Sequence, residues 1–269
     1  MFAFATRMIH DKYRSFIAYS LTAVAFLEMY VAVFPSISQQ SSQFDQVIKS
    51  LPPALFKAIN IDPNTLSFAS LQSFLSSEYM SFLWPIMAII FAISLANYIS
   101  VNEIEKGTIE MLISLPVKRI RIFAERYLTG LFVLVCFSGV SLLGAIPLAK
   151  LHGISYISAN YVTAAIGAFF FTWAVYSLAV LFSVIFSEKG RASMASGGIL
   201  ILMYFMSIIA NLQDSLKNIQ YFSFFHYFNG STLLAKNIYA EHSLLVLGGF
   251  AVLATLIAAL IFKRRDLAV

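Results

Sequence analysis

Apolar runs of membrane length, separated by polar stretches, dominate this chain. A helix needs about 20 apolar residues to cross a hydrocarbon core roughly 30 Å thick. Six segments meet that length, near Ser15 to Phe34, Ser81 to Ser100, Tyr127 to Leu148, Tyr161 to Phe186, Ala192 to Ala210 and Ser243 to Phe262. The runs are about twice as long as a barrel strand, and lipid offers no partner to unpaired backbone groups, so the spans are predicted to be helices. The expected fold is all-α, a polytopic membrane protein forming one domain over residues 1–269.

The polar stretches carry patterns of their own. Ahead of the first run, Phe2, Ala5, Ile9, Tyr13 and Phe16 recur at helical spacing, with Arg7, His10, Asp11 and Arg14 on the other side. This predicts an N-terminal interfacial helix over residues 1–14 that lies flat at the surface, or else a basic tail that only sets topology. In the segment 36–78, Phe44, Val47, Ile48 and Leu51 form a stripe that Pro52-Pro53 stops, and Phe68, Leu71 and Leu75 form a second stripe leading to Glu78. Two short amphipathic extracellular helices are expected. The segment 211–242 gathers Tyr221, Phe222, Phe224, Phe225, Tyr227 and Phe228 around His226. It reads as an aromatic belt at headgroup level, or as a short re-entrant helix at the outer mouth of a pathway.

Composition narrows the class. With 59% hydrophobic and 12% charged residues, the chain falls outside the range of soluble globular domains. If the N-terminus is cytosolic, 13 of the Lys and Arg residues fall in inner segments and 5 in outer ones, which favours both termini inside. The net charge of +5 then reports orientation and gives no support to nucleic-acid binding. Charged residues dilute Met1 to Ser15, so no secretory signal is read there and the first span is expected to stay uncleaved. The single cysteine, Cys136, excludes an internal disulfide. Catalysis is not expected: His10, His152, His226 and His242 lie outside the spans or at their edges, no H-E-x-x-H or G-x-S-x-G string occurs, and no metal site is read. There is also no G-x-x-x-x-G-K-[ST] phosphate loop, so this chain is not expected to hydrolyse ATP by that route.

The densest charge lies between the second and third runs, in residues 101–126. If Glu103 to Leu115 is helical, Ile104, Thr108, Met111 and Leu115 share one face while Glu103, Lys106 and Glu110 share another, and Pro116 ends the helix. Such an element, tethered at each end to a span, fits a lever, or else a solvated loop whose basic residues only obey the positive-inside rule. Its apolar face supplies docking area, while the acidic face and the basic run Lys118, Arg119, Arg121 and Arg126 fix orientation.

The string E-x-E-x-G-T-x-E-x-L-x-x-x-P-V-x-R, running from Glu103 to Arg119, resembles the cytosolic loop of ABC-2 type permeases. Arg126 at the opening of the third span, the short turn Ser187 to Ala192 and the tail Phe262-Lys263-Arg264-Arg265-Asp266 are similar to further features of that family, so the likeness covers essentially the whole chain. The resemblance implies a transmembrane permease subunit of a plasma-membrane exporter that moves a hydrophobic, amphipathic or lipid-like solute outward. It implies no cofactor in this chain, with ATP and Mg bound by a separate ABC ATPase subunit, and pairing with a second permease copy or a related chain. The coupling residues it implies are Glu103, Glu105, Lys106, Gly107, Thr108, Glu110, Met111, Leu112, Pro116 and Arg119. The alternative is a non-transporting membrane subunit that passes ATPase motion to another protein.

Glu28 is the only acid inside an assigned span. Ionisable groups at that depth are costly and often functional, so it is expected on the substrate pathway, against a partner group at the dimer seam, or turned outward to pair with Lys49 or Lys57. Pro85 and Pro147 are candidate kinks. Ala164 with Ala168, and Ser193 with Gly197, are small-residue pairs suited to close helix packing.

Overall fold

The computed structural model describes residues 3–39, 52, 70–109, 116–230 and 232–265. Six helices in it are long and apolar enough to cross a membrane, and no strand occurs among the described residues. The first is one unbroken helix, Ala3–Ser38. At 1.5 Å per residue its 36 residues reach about 54 Å, well beyond the hydrocarbon thickness. The amphipathic N-terminal segment is therefore continuous with the first span. Its Met8 is fully buried against the bundle, whereas Ile9 and Tyr13 of the expected apolar stripe are exposed.

The second span also starts earlier than the apolar run suggests. Ser70 caps Leu71–Leu75, its hydroxyl accepting from the Ser73 N–H at 3.2 Å. A π-helical stretch, Ser76–Leu83, then leads into Trp84–Ala96. Pro85 accounts for the wider register: it has no N–H to give, and its ring would press on the carbonyl of Ser81 in a regular α-helix. Glu78 lies inside this composite helix. Phe44, Val47, Ile48, Leu51, Lys49, Lys57 and Phe68 lie outside the described residues.

The third span, Arg119–Leu151, breaks at Gly144, where Pro147 leaves the Leu143 carbonyl without its helical donor. The fourth, Ser158–Ile185, is the centre of the bundle and packs against the second, third, fifth and sixth. Its Ala164, Gly167, Ala168 and Ala174 let neighbours approach closely, which drives association where lipid removes the hydrophobic gain. Polar contacts add to this. Trp173 Nε1 donates to Tyr127 Oη at 2.8 Å, and the hydroxyls of Ser177 and Thr255 lie 2.8 and 2.6 Å from the same oxygen, tying the third, fourth and sixth spans together. The fifth and sixth spans are Lys189–Leu212 and Ser243–Arg264.

The aromatic segment between the last two spans is divided. Asp214–Phe222 forms a 3-10 helix that leaves Tyr221 and Phe222 exposed. Phe224–Tyr227 then turns into the bundle, where Phe228 stacks on Phe171 at 4.6 Å and lies 5.5 Å from Trp84, while Phe224 meets Phe250 at 4.8 Å. The inner rings thus enter the bundle and pack against the middle of the second and fourth spans.

Candidate functional site

The segment singled out by its charge sits at the end of the bundle that also gathers Lys12, Arg126, Lys189 and Arg265. After the second span, Asn97 to Ser100 turn the chain, and Val101–Glu105 forms a short helix. The helix expected over Glu103 to Leu115 is interrupted after Glu105, and Ile109 is helical again. Gly107 adopts φ +67°, the Thr108 N–H donates to the Glu103 carbonyl at 2.9 Å, and the Gly107 N–H donates to the Ile104 carbonyl at 3.0 Å. This bond pair closes a helix on a left-handed residue, and it explains why Gly107 overrides the amphipathic pattern. Glu110, Met111 and Leu112 lie outside the described residues.

Glu103 faces inward instead of sharing an exposed face with Lys106. Arg126 Nη2 donates to its carboxylate at 3.0 Å, the Thr108 hydroxyl donates to the other carboxylate oxygen, and the two charged side chains are 9% and 1% exposed. Arg126 Nη1 also donates to the Tyr98 and Ile99 carbonyls at 3.0 and 3.1 Å, with its guanidinium 5.0 Å from the Tyr98 ring. One buried cation therefore holds the end of the second span, the loop helix and the start of the third span together. Burial works to raise the Glu103 carboxyl, but the Thr108 hydrogen bond and the Arg126 charge outweigh it and hold it below the usual carboxylate range. The pair stays charged at neutral pH, and its contribution is lost only as pH falls through that lowered value.

Around this clasp the remaining candidates divide. Glu105, Lys106 and Gly107 are exposed, Thr108 is half-buried against Glu103, and Pro116 is exposed where the chain rejoins the bundle. Arg119 turns away from the tip and donates to the Arg265 carbonyl at 2.8 Å. Arg265 in turn donates to the Val184 and Phe186 carbonyls at 2.6 and 3.2 Å and to the Ser187 hydroxyl at 2.7 Å. It thereby satisfies carbonyls orphaned at the end of the fourth-span helix. Asp11 and Lys12, outside the charged loop, join this site from the first helix. Asp11 accepts from the Tyr98 hydroxyl, and Lys12 donates to the Ser94 carbonyl at 3.3 Å, pinning the first helix to the second. Residue spacing gives no sign of these contacts, because both depend on how two distant helices pack.

Gly107 sets up a sharp test. Nothing lies within 4 Å of a Cβ placed there, so size is not the constraint and backbone handedness is. Gly107→Asn should be tolerated, whereas Gly107→Val should cost about 1–2 kcal/mol locally and displace the tip. Thermal unfolding of the purified variants, together with protease cleavage at the loop, checks this.

Glu28 joins neither the clasp nor the tip. Its carboxylate meets His152 Nε2 at 2.8 Å, linking the first helix to the far end of the third span. A separate apolar groove of about 330 Å³ opens between the second and fifth spans, walled by Ile86, Ile90, Ile93, Leu200 and Ile201, with Ser81 and Tyr204 as polar points. That volume is in the range of small-molecule sites. Gly197 borders it with no heavy atom within 4 Å of an added Cβ.

The family model described as ABC-2 family transporter protein matches residues 8–267. No match is found among the curated proteins. Taken with six helices of membrane length, that match means the chain belongs to the ABC-2 transporter family and is a multi-pass transmembrane permease.

Proposed function

We propose that this permease is the membrane half of an exporter driven by a separate ATP-binding subunit, which grips the tip around Glu105, Lys106 and Gly107 from the cytosol. In this reading the basic end is cytosolic, as the distribution of Lys and Arg favours. The observation that carries it is the Glu103–Arg126 clasp behind an exposed tip. A flexible loop would absorb a push, whereas a tip backed by a buried, multiply bonded cation passes it to the second and third spans together. Glu103, Thr108 and Arg119 then act by holding the lever's shape, and the exposed residues act by contact. Two packings of the bundle, biased through this lever, would give alternating exposure.

The groove between the second and fifth spans supports a hydrophobic or amphipathic solute as cargo. Its walls offer few polar partners, so a strongly hydrated solute would lose more hydration than the site returns. Glu28, paired with His152 away from the groove, is assigned to bracing the outer end. A second copy of the permease, or a related chain, completes the membrane unit, and the plasma membrane is its setting.

The test is reconstitution with the ATPase subunit in vesicles. ATP-dependent movement of an amphipathic dye across the bilayer is the expected result. ATPase activity stimulated by the permease, with no movement of any solute in a broad panel, would instead support a subunit that transmits motion to another protein.

A further inference from the structure

The groove between the second and fifth spans has a polar end. A small pocket of about 30 Å³ opens off it, and the two share Ser81, Pro85, Tyr204 and Phe225 in their walls. A water needs about 10–15 Å³, so the pocket takes one or two small polar atoms and no more. Ser207 lines it at 3% exposure, and neither its hydroxyl nor that of Tyr204 has a hydrogen-bond partner among the described residues. The Tyr204 ring is held edge-on to Phe225 at 5.2 Å. Met80 supplies an acceptor. The Trp84 N–H donates five residues back to the Tyr79 carbonyl, and in that register Pro85, which has no N–H, stands opposite the Met80 carbonyl. Gly230 walls the pocket beside it, so close that an added Cβ would lie 2.9 Å from the Met80 carbonyl oxygen. Among the described residues no charged side chain lines the pocket or the groove.

We infer that the groove takes a long-chain amphipath whose head is a single uncharged hydroxyl, seated among Tyr204, Ser207 and the Met80 carbonyl, with its apolar chain along Ile86, Ile90 and Ile93. This rests on the reading of the groove as the cargo path and adds the head that the path selects. A hydroxyl both accepts and donates, so it can take a hydrogen bond from Tyr204 or Ser207 and give its own proton to the Met80 carbonyl. A carboxylate or an ammonium would enter an apolar wall with no counter-charge, at a cost that hydroxyl partners do not repay. A phosphate or a sugar exceeds the volume of the pocket. Between Ser81 and Ile93 the second span offers about 18 Å of wall, enough to cover a long alkyl chain.

The permease alone, in phosphatidylcholine nanodiscs, is enough for the test. Ile90→Trp places a fluorophore in the groove, and Leu256→Trp, on the sixth span outside it, reads the same probe dissolved in the bilayer. The probe 12-bromododecan-1-ol is expected to quench Ile90→Trp at about fivefold lower mole fraction than Leu256→Trp, the effect of one net hydrogen bond. For 12-bromododecanoate and 12-bromododecyltrimethylammonium the two positions should be quenched nearly alike. On the Ile90→Trp background, Ser207→Val, which fills the pocket and removes a donor, and Tyr204→Phe should each bring the alcohol down to the level of the charged probes. Ser215→Ala, which removes an exposed hydroxyl outside the pocket, should leave its advantage unchanged. If no probe favours Ile90→Trp over Leu256→Trp, the groove is not the cargo path and the inference falls with that reading. Charged probes enriched as strongly as the alcohol, or an alcohol advantage that survives both Ser207→Val and Tyr204→Phe, would overturn the choice of head alone.

Discussion

Arg126→Ala is expected to be the most damaging single change in this chain. It would leave the Glu103 carboxylate buried without its cation and strip donors from the Tyr98 and Ile99 carbonyls at one stroke. Breaking a buried ion pair from one side costs about 3–5 kcal/mol. Arg126→Lys should rescue little, because a single ammonium cannot reproduce the planar fork that reaches three acceptors. Removing both partners, Glu103→Ala with Arg126→Ala, should cost less than the sum of the two singles, since no uncompensated charge then remains. Thermal unfolding of the four proteins forms the cycle. A double variant that loses as much as the two singles added would show that the residues act independently. Membrane insertion should be normal throughout, because the apolar spans are untouched.

The second large effect is expected at Gly130, where the sign of a Gly→Ala change should oppose the usual one. A Cβ there would lie 2.2 Å from the Tyr176 hydroxyl oxygen and 2.7 Å from the ring carbon that bears it. Tyr176 is fully buried and stacks on Tyr127 at 5.2 Å, so its ring has nowhere to withdraw. Overpacking of this kind costs about 1–3 kcal/mol, and it would wedge the third span off the fourth. At Gly197 an added Cβ meets nothing, so Gly197→Ala should be neutral or stabilising by up to about 1 kcal/mol through backbone entropy alone. Melting temperatures of the two variants check the contrast. A shift in the same direction for both would mean that the third and fourth spans are not packed as described.

These expectations also mark how far the sequence could be read. The six spans were legible because their signal is local: twenty apolar residues in a row identify a membrane helix whatever surrounds them. Their ends were less so. The first helix begins at Ala3 and the second span at Leu71, where charged or hydroxylated residues hide helical continuity from a hydropathy count. Gly107 could have been read as a helix stop, since glycine just past a helical stretch favours the left-handed cap, but the amphipathic spacing on either side pointed the other way. Arg126 was visible as a basic residue at the mouth of the third span, yet its carboxylate partner was not. Glu103 looks as solvent-ready as Glu105 until Val101–Glu105 is placed against Arg126, and that placement depends on helices distant in sequence. Likewise, the pairing of Glu28 with His152 joins residues 124 positions apart, which spacing alone does not reveal.

The aromatic segment illustrates the same limit. Tyr221 and Phe222 remain exposed, as an interfacial belt would have them, while Phe224 and Phe228 turn inward and become core. Nothing in their spacing separates the two groups, because aromatic rings suit a headgroup layer and a packed interior equally well.

The central claim is that force enters through the tip at Lys106 from the cytosolic side. A single cysteine at that point, Lys106→Cys in a Cys136→Ser background, tests it with a membrane-impermeant thiol reagent. The account predicts no labelling in intact cells, ready labelling in inverted membrane vesicles, and protection in those vesicles when the ATPase subunit is bound. Labelling from outside intact cells, or labelling in inverted vesicles that the bound ATPase leaves unchanged, would contradict it.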